Sequence, residues 1–290
     1  MSTLLEEYLR ERPMLLRVAY KILGSQTEAE DALQDLYLKI KSQGEEGVDN
    51  ARSWLIRVMV NAAIDQKRAM DRRKVDYVGS WLPEPWAVDG KTRLEVRDDV
   101  SMALMVLLER LNPIERAVFV LRETCDLKYG EIADILRMSE ASCRKSWQRA
   151  EGHLEQGRKR FQPDPSVHKH MTLAFLEYWS QGNTEELIKL LKAEAVLHSD
   201  GGGKVSATLQ PIAGAMRIIK FLQSLLRAAG PDIDVSARFL PPDQTCLVVN
   251  GELETLICME LEGECITNLY FQRNPDKLKR VKDRLTCESE

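Results

Sequence analysis

The chain is 290 residues long and carries 41 Lys and Arg against 45 Asp and Glu, a formal net charge of −4; this length suits two or three domains better than one core. No apolar run approaches the ~20 residues of a membrane span, and the charged opening MSTLLEEYLRERP is unlike a signal peptide, so a cytoplasmic protein with no membrane partner is expected. The six cysteines, Cys125, Cys143, Cys246, Cys258, Cys265 and Cys287, show no C-x-x-C pairing, which points away from a zinc site or disulfide framework and leaves no metal or cofactor indicated.

Residues 3 to 41 are predicted helical with a break near Pro13, where a proline suits the first turn of a new helix. Leu15, Leu16, Val18, Ala19, Ile22 and Leu23 form the apolar stripe and Gly24 ends it. Thr27 with Glu30 reads as a capping box for a helix with Ala29, Leu33, Leu36 and Ile40 inside. Its other face carries Glu28, Asp31, Gln34 and Asp35, an exposed acidic strip. After a polar loop from Lys41 to Asn50, a long helix from Ala51 to about Arg73 is expected, with Trp54, Leu55, Val58, Ala62 and Ile64 as its core. Arg52, Arg57, Asn61, Asp65, Lys67, Arg68, Arg72 and Arg73 are then its outward groups. The Asn61-x-x-x-Asp65 spacing sets two base-reading side chains one turn apart; a solvated helix surface is the plainer alternative.

Residues 76 to 93 contain the run WLPEPW and cannot form a long regular element, yet aromatics are costly to leave exposed, so the segment should dock on something. Leu94 to Leu111 is predicted to be an amphipathic helix, and Asn112-Pro113-x-Glu115 a strong cap for the next, whose core is Ile114, Val118, Phe119 and Leu121.

From Tyr129 to Ala150 the chain reads YGEIADILRMSEASCRKSWQRA. Ile132, Ala133, Ile135 and Leu136 give a short helix an apolar face, Met138 falls in a turn, and Ser139 caps a second helix. Ala141, Trp147 and Ala150 turn inward; Ser142, Arg144, Lys145, Gln148 and Arg149 project outward. Such a pair is a helix-turn-helix whose second helix fits the DNA major groove, although Arg137 stands where glycine is usual. An ordinary helical hairpin with a polar face is the alternative. Residues 1 to 160 balance 27 basic against 27 acidic groups, so weak binding to DNA alone and a need for a partner are expected.

Pro163-Asp164-Pro165 marks a boundary. Beyond it, helices are expected over His168 to Trp179, after the cap Asn183 with Glu186, and over Ile212 to Leu226. Strands are expected at Ala195 to Leu197, Asp232 to Leu240, Thr245 to Val249, Leu253 to Leu261 and Glu264 to Phe271, an α+β cone.

LLRVAYKILGSQTEAEDALQDLYLKI followed by ARSWLIRVMVNAAIDQKR resembles region two of an extracytoplasmic-function sigma factor, the promoter-recognition subunit of bacterial RNA polymerase. The helix-turn-helix block resembles its region four, and the last domain is similar to the SnoaL-like branch of the nuclear-transport-factor-type fold. WLPEP at Trp81 to Pro85, DGGGK at Asp200 to Lys204 and NPDKL at Asn274 to Leu278 resemble the signatures of members with a fused SnoaL-like domain.

The resemblance implies two all-α domains followed by an α+β domain. Region two spans 1–75, a linker 76–93, region four 94–161, the SnoaL-like domain 166–272 and a tail 273–290. It implies core polymerase binding by Asp31, Gln34 and Asp35, and minus-ten recognition by Asn61, Asp65 and Arg68, with the loop from Lys41 to Arg52 capturing a flipped base. Minus-35 recognition falls to Ser142, Arg144, Lys145, Gln148 and Arg149. Interdomain regulation falls to Trp81, Leu82, Pro83, Asp200, Gly201, Gly202, Asn274, Pro275, Asp276, Lys277 and Leu278. The expected partners are RNA polymerase core enzyme and promoter DNA, with an unidentified small ligand in the SnoaL-like pocket, where His198 and Asp200 would be polar groups. No enzymatic activity is expected. The competing readings are a SnoaL-like enzyme and a ligand-sensing helix-turn-helix regulator acting without polymerase.

Overall fold

The computed structural model describes residues 3–43, 48–87, 100–158, 165–229, 235–240, 244–250 and 252–287. The expectations for the flipped-base loop, the start of the helix from Leu94 and the Pro163-Asp164 boundary fall on residues 44–47, 88–99 and 159–164, outside the described residues. The side chain of Cys287 lies outside them too.

The chain divides into two compact units, residues 1–75 with 105–156, and residues 76–104 with 157–290. In the first, α1 (Thr3–Leu23), α2 (Gln26–Gln43) and α3 (Ala51–Arg73) pack on one another, α5 (Pro113–Cys125) packs on α1 and α3, and α6 (Tyr129–Leu136) packs on α3 and α5. The short α4 (Met102–Leu108) precedes α5, and α7 (Glu140–Arg158) follows α6.

Local chemistry sets the ends. Gly24 closes α1 at φ +77° with its N–H on the Tyr20 carbonyl, 2.7 Å away. Asn50 caps α3 by accepting from the Ser53 amide at 2.9 Å. Asn112 and Glu115 form the full capping box at α5 with Pro113 in the first turn.

Three expectations fail locally. Helix α1 runs unbroken through Pro13; the carbonyl that the proline leaves without a donor belongs to Leu9, which stands on the exposed side. The cap of α2 is Ser25, whose hydroxyl accepts from the Glu28 amide at 3.2 Å, in place of Thr27 with Glu30. In α3 the buried face is Leu55, Ile56, Met59, Val60, Ala63, Ile64 and Lys67; Ala62 is exposed, because α1, α2 and α6 together cover a wider arc than one stripe.

The second unit is built on a six-stranded sheet of order β2-β1-β6-β5-β4-β3. It comprises β1 (Leu191–Asp200), β2 (Ile212–Ala213), β3 (Val235–Leu240), β4 (Gln244–Val249), β5 (Glu252–Glu262) and β6 (Cys265–Gln272). β1 lies parallel to β6, and every other pair is antiparallel. The helices α8 (Pro165–Ser180), α9 (Thr184–Leu190) and α10 (Ala215–Ala229) supply Phe175, Leu187, Ile218 and Leu222 to a core completed by Leu197, Ile257, Met259, Leu269 and Phe271 from the sheet.

Ile212 and Ala213, expected to open a helix, instead pair with Leu197 and Val196 as an edge strand. The NPDKL tail becomes the helix α11 (Pro275–Cys287), which packs on β5. Asn274 caps it, accepting from the Asp276 amide at 3.0 Å.

Candidate functional site

The helix-turn-helix forms as its pattern demands. Arg137 takes the left-handed conformation at φ 53°, and the Met138 amide reaches the Ala133 carbonyl at 3.0 Å. The glycine usual at this turn is thus replaced at a strain of roughly 1 kcal/mol. Ser139 accepts from the Ser142 amide at 3.1 Å.

Along α7, Ser142, Arg144, Lys145, Gln148 and Arg149 are all exposed. The inward groups are Cys143, Ala150 and Leu154, with Trp147 stacked on Phe119 at 5.5 Å. Ala141 is exposed, and Cys143 takes the inward place expected of it. Arg144 is not free-swinging: it pairs with Glu140 and lies over the Tyr129 ring, 4.9 Å from its centroid.

On α3, Asp65 and Arg68 pair at 3.1 Å at the surface. Asn61 is half-buried, because its side-chain amide donates to the Arg57 carbonyl at 2.8 Å and to the Ile135 carbonyl of α6 at 3.2 Å. A cleft of about 530 Å³ joins these groups: Asp35 and Lys39 of α2, Arg57, Asn61 and Asp65 of α3 and Arg137 of the turn form its polar lining. Asp31, Gln34 and Asp35 are exposed on α2. Beside them Leu38 is 55% exposed, an apolar group on the same helical face that the sequence reading passed over.

Beneath this surface sits a buried ion cluster. Glu109 accepts from Lys67 at 2.8 Å and is paired with Lys74 and Arg116, while Arg116, fully buried, also donates to the Lys21 carbonyl. Burial opposes ionisation of Glu109, but Arg116, Lys67 and Lys74 outweigh it and hold the carboxyl well below its usual range. Burial pulls the Lys74 ammonium down to about 8, with Glu109 resisting. Lys67 was expected outside; the α3 register turns it in, where Glu109 makes its burial tolerable.

In the second unit the three short motifs converge. Asp200, 0% exposed at the end of β1, accepts from the Tyr77 hydroxyl at 2.6 Å, the Leu82 amide at 2.9 Å, the Gly202 amide at 3.0 Å and the Lys277 ammonium at 2.7 Å. Lys277 also donates to the Leu82 carbonyl at 2.6 Å, and Gln272 donates to the Pro83 carbonyl at 3.2 Å. Residues 82–86 are buried by this docking.

Asn274 donates to the Tyr77 hydroxyl at 2.9 Å, and a Cβ on Gly202, at φ +61°, would overlap that same Asn274 side chain. A Cβ on Gly201 would strike the Val205 carbonyl. Asp276 pairs with Lys204 at 2.5 Å, and Leu278 is buried. Burial and the adjoining Asp200 push the Tyr77 phenol up. The sequence marked Trp81 to Pro83 but missed Tyr77, whose role arises only from this meeting.

His198 and Asp200 do not face the space between helices and sheet. Strand alternation sends Leu197 into that core and His198 to the opposite face, where it stacks on Tyr270 at 5.3 Å. Phe175, Leu222, Met259 and Phe271 fill the helix side. Cys125, Cys143, Cys246 and Cys258 are buried, and burial pushes the Cys125 thiol up to about 11. Among the described residues, no three His, Cys, Asp or Glu side chains gather as a metal site, and no helix is long and apolar enough to cross a membrane.

Residues 8–73 match the family model of Sigma-70 region 2, and residues 101–154 that of Sigma-70, region 4. The chain is 29% identical over 248 residues to the ECF RNA polymerase sigma factor SigJ of Mycobacterium tuberculosis, covering 83% of this chain and 77% of that protein. It is 33% identical over 155 residues to the RNA polymerase sigma-E factor of Streptomyces coelicolor, covering 52% of this chain and 84% of that protein. The crystal structure of the Mycobacterium tuberculosis extracytoplasmic function sigma factor SigJ superposes with a TM-score of 0.73 at 24% identity, covering 95% of this chain and 98% of that one, a likeness of fold.

Proposed function

We propose a division of labour within this chain, which belongs to the extracytoplasmic-function sigma factors and directs RNA polymerase core enzyme to promoters. Asp31, Gln34 and Asp35, with Leu38 as an apolar anchor on the same face, bind core polymerase. Asn61, Asp65 and Arg68 read the minus-ten element. Ser142, Arg144, Lys145, Gln148 and Arg149 enter the major groove at the minus-35 element, with Arg144 preset by Glu140 and Tyr129 for bidentate base contact.

The observation that carries this reading is the bond from the Asn61 amide to the Ile135 carbonyl. A base-reading group of region two is spent on the helix-turn-helix of region four, so the helical unit is in a resting state that must open before both DNA elements are read. The last domain regulates that opening in cis. By holding residues 77–86 through Asp200, Gln272 and Lys277, it shortens the tether that has to span two DNA sites.

Single-round transcription with purified core polymerase tests this, comparing the full chain with one ending before residue 163. Promoter-specific transcripts whose yield changes on truncation are expected. Unaltered yield together with unaltered core affinity overturns the regulatory role.

A further inference from the structure

The charge that closes the linker site is held in an unusual setting. The Lys277 ammonium stands 4.1 Å from the centroid of the Trp81 ring and 4.9 Å from that of Tyr77, in addition to its bonds to Asp200 and to the Leu82 carbonyl. Two aromatic faces, a buried carboxylate and a carbonyl oxygen make a cage for an alkylammonium ion. The linker and the end of β1 supply these four groups, and α11 supplies the occupant, with Arg280 of the same helix 3.7 Å from Glu84 of the linker.

We infer that this cage is a receptor for primary alkylammonium ions, filled in this state by the chain's own Lys277, and that free primary amines compete for it. The rings favour a cation with an alkyl stem over a hydrated metal ion, whereas the two oxygen acceptors require N–H donors and so select a primary over a quaternary ammonium. The Lys277 side chain is 14% exposed and Asp200 is sealed, so one side of the cage faces solvent and serves as the entrance once α11 withdraws. Because α11 packs on β5 and holds Lys277 in place, its effective concentration exceeds the roughly millimolar value of a short flexible tether, and a free amine competes at about a hundred millimolar or more. The physiological consequence, amine-dependent control of the tether, rests on the regulatory reading above; occupancy of the cage does not.

Hydrogen exchange on the full chain, read by mass spectrometry without polymerase or DNA, tests occupancy directly. In Lys277→Ala the amides of residues 77–86 should exchange on the order of a hundredfold faster, since a buried carboxylate has lost its cation. n-Propylamine, which restores the missing methylenes and ammonium, should return that exchange saturably toward the unsubstituted rate, and tetramethylammonium and n-propanol should not. In the unsubstituted chain n-propylamine should speed exchange of residues 275–287 while the linker stays protected. The Lys277→Ala, Asp200→Asn pair removes the carboxylate and should show no amine effect, a check that holds even if Lys277→Ala alone folds poorly.

The inference is overturned if n-propylamine at several hundred millimolar, roughly a hundredfold above the effective concentration of a short flexible tether, leaves both segments unchanged. It is equally overturned if tetramethylammonium or n-propanol acts as well as the amine, or if Lys277→Ala leaves linker exchange unaltered. A linker that stays docked and still alters transcription in such a case leaves the regulatory reading standing without the amine.

Discussion

The side-chain amide of Asn61, on the third helix of region two, donates to the main-chain oxygen of Ile135, in the first helix of the helix-turn-helix, across 3.2 Å. Under the proposed function this side chain exchanges a carbonyl of its own chain for a promoter base. Removing it should act on both. Asn61→Ala removes the bonds to the Arg57 and Ile135 carbonyls and is expected to lower the stability of the helical unit by about 1–2 kcal/mol, seen as a shift in urea midpoint. It should also cut transcription from promoters with an intact minus-ten element. A variant that keeps full activity removes Asn61 from base reading.

Glu109 neutralises Arg116 and Lys67 where neither reaches bulk water. Glu109→Gln removes the charge that faces Arg116 and leaves Lys67 to Asp71, 2.8 Å away, which costs ~3–5 kcal/mol. Urea unfolding followed by the Trp54 and Trp147 signals should register the loss, and a midpoint unchanged from the parent chain refutes the role assigned to this cluster.

The same carboxyl makes the helical unit acid-sensitive. Its folded pKa lies below the ordinary 4.5, so its contribution is fully present above that value and is lost as pH falls below it. Lys74 acts the other way at high pH. With its folded pKa near 8 against 10.5, the folded state binds fewer protons than the unfolded in that interval, and this group's penalty is relieved as pH rises. Thermal midpoints should fall on acidification below about pH 4.5, and the fall should be shallower in Glu109→Gln. Equal slopes for the two proteins contradict the assignment.

Gly202 and Gly263 share nearly the same backbone angle, φ +61° and +62°, but only the first has Asn274 where a Cβ would stand. Gly202→Ala and Gly263→Ala each meet the left-handed strain of roughly 1–2 kcal/mol; the difference between them isolates the Asn274 contact. Protease cleavage within residues 77–86 should accelerate in Gly202→Ala alone. Acceleration in both, or neither, separates the glycine loop from linker docking.

Arg144 is held in place by Glu140 and the Tyr129 ring. Arg144→Ala should weaken transcription that depends on the minus-35 element by roughly tenfold, the value of one good bidentate base contact, and leave core polymerase binding intact. Promoter activity equal to the parent chain in the reconstituted assay rules out its role in the groove.

Much of the helical half could be read from residue order because the decisive interactions there are local. The Asn112 box, the Asn50 side of α3, Ser139 and the exposed face of α7 depend on neighbours three or four residues away. The strands β4 to β6 were legible for a similar reason, their alternation and turns being short-range signals.

What residue order left open was decided by pairings remote in the chain. Ile212 and Ala213 read as helix because their apolar period continues into α10, yet a strand already in place at Val196 and Leu197 captures their backbone. Lys67 reads as a surface lysine until Glu109, contributed by another part of the chain, gives it a partner at 2.8 Å. Sequence alone determined two helical DNA-reading modules followed by an α+β domain, and singled out three motifs. Only the tertiary structure decided that those motifs meet at Asp200, with Lys277 of NPDKL as its cation, and that Tyr77 joins them there, since a buried carboxylate takes whichever donors the fold carries to it.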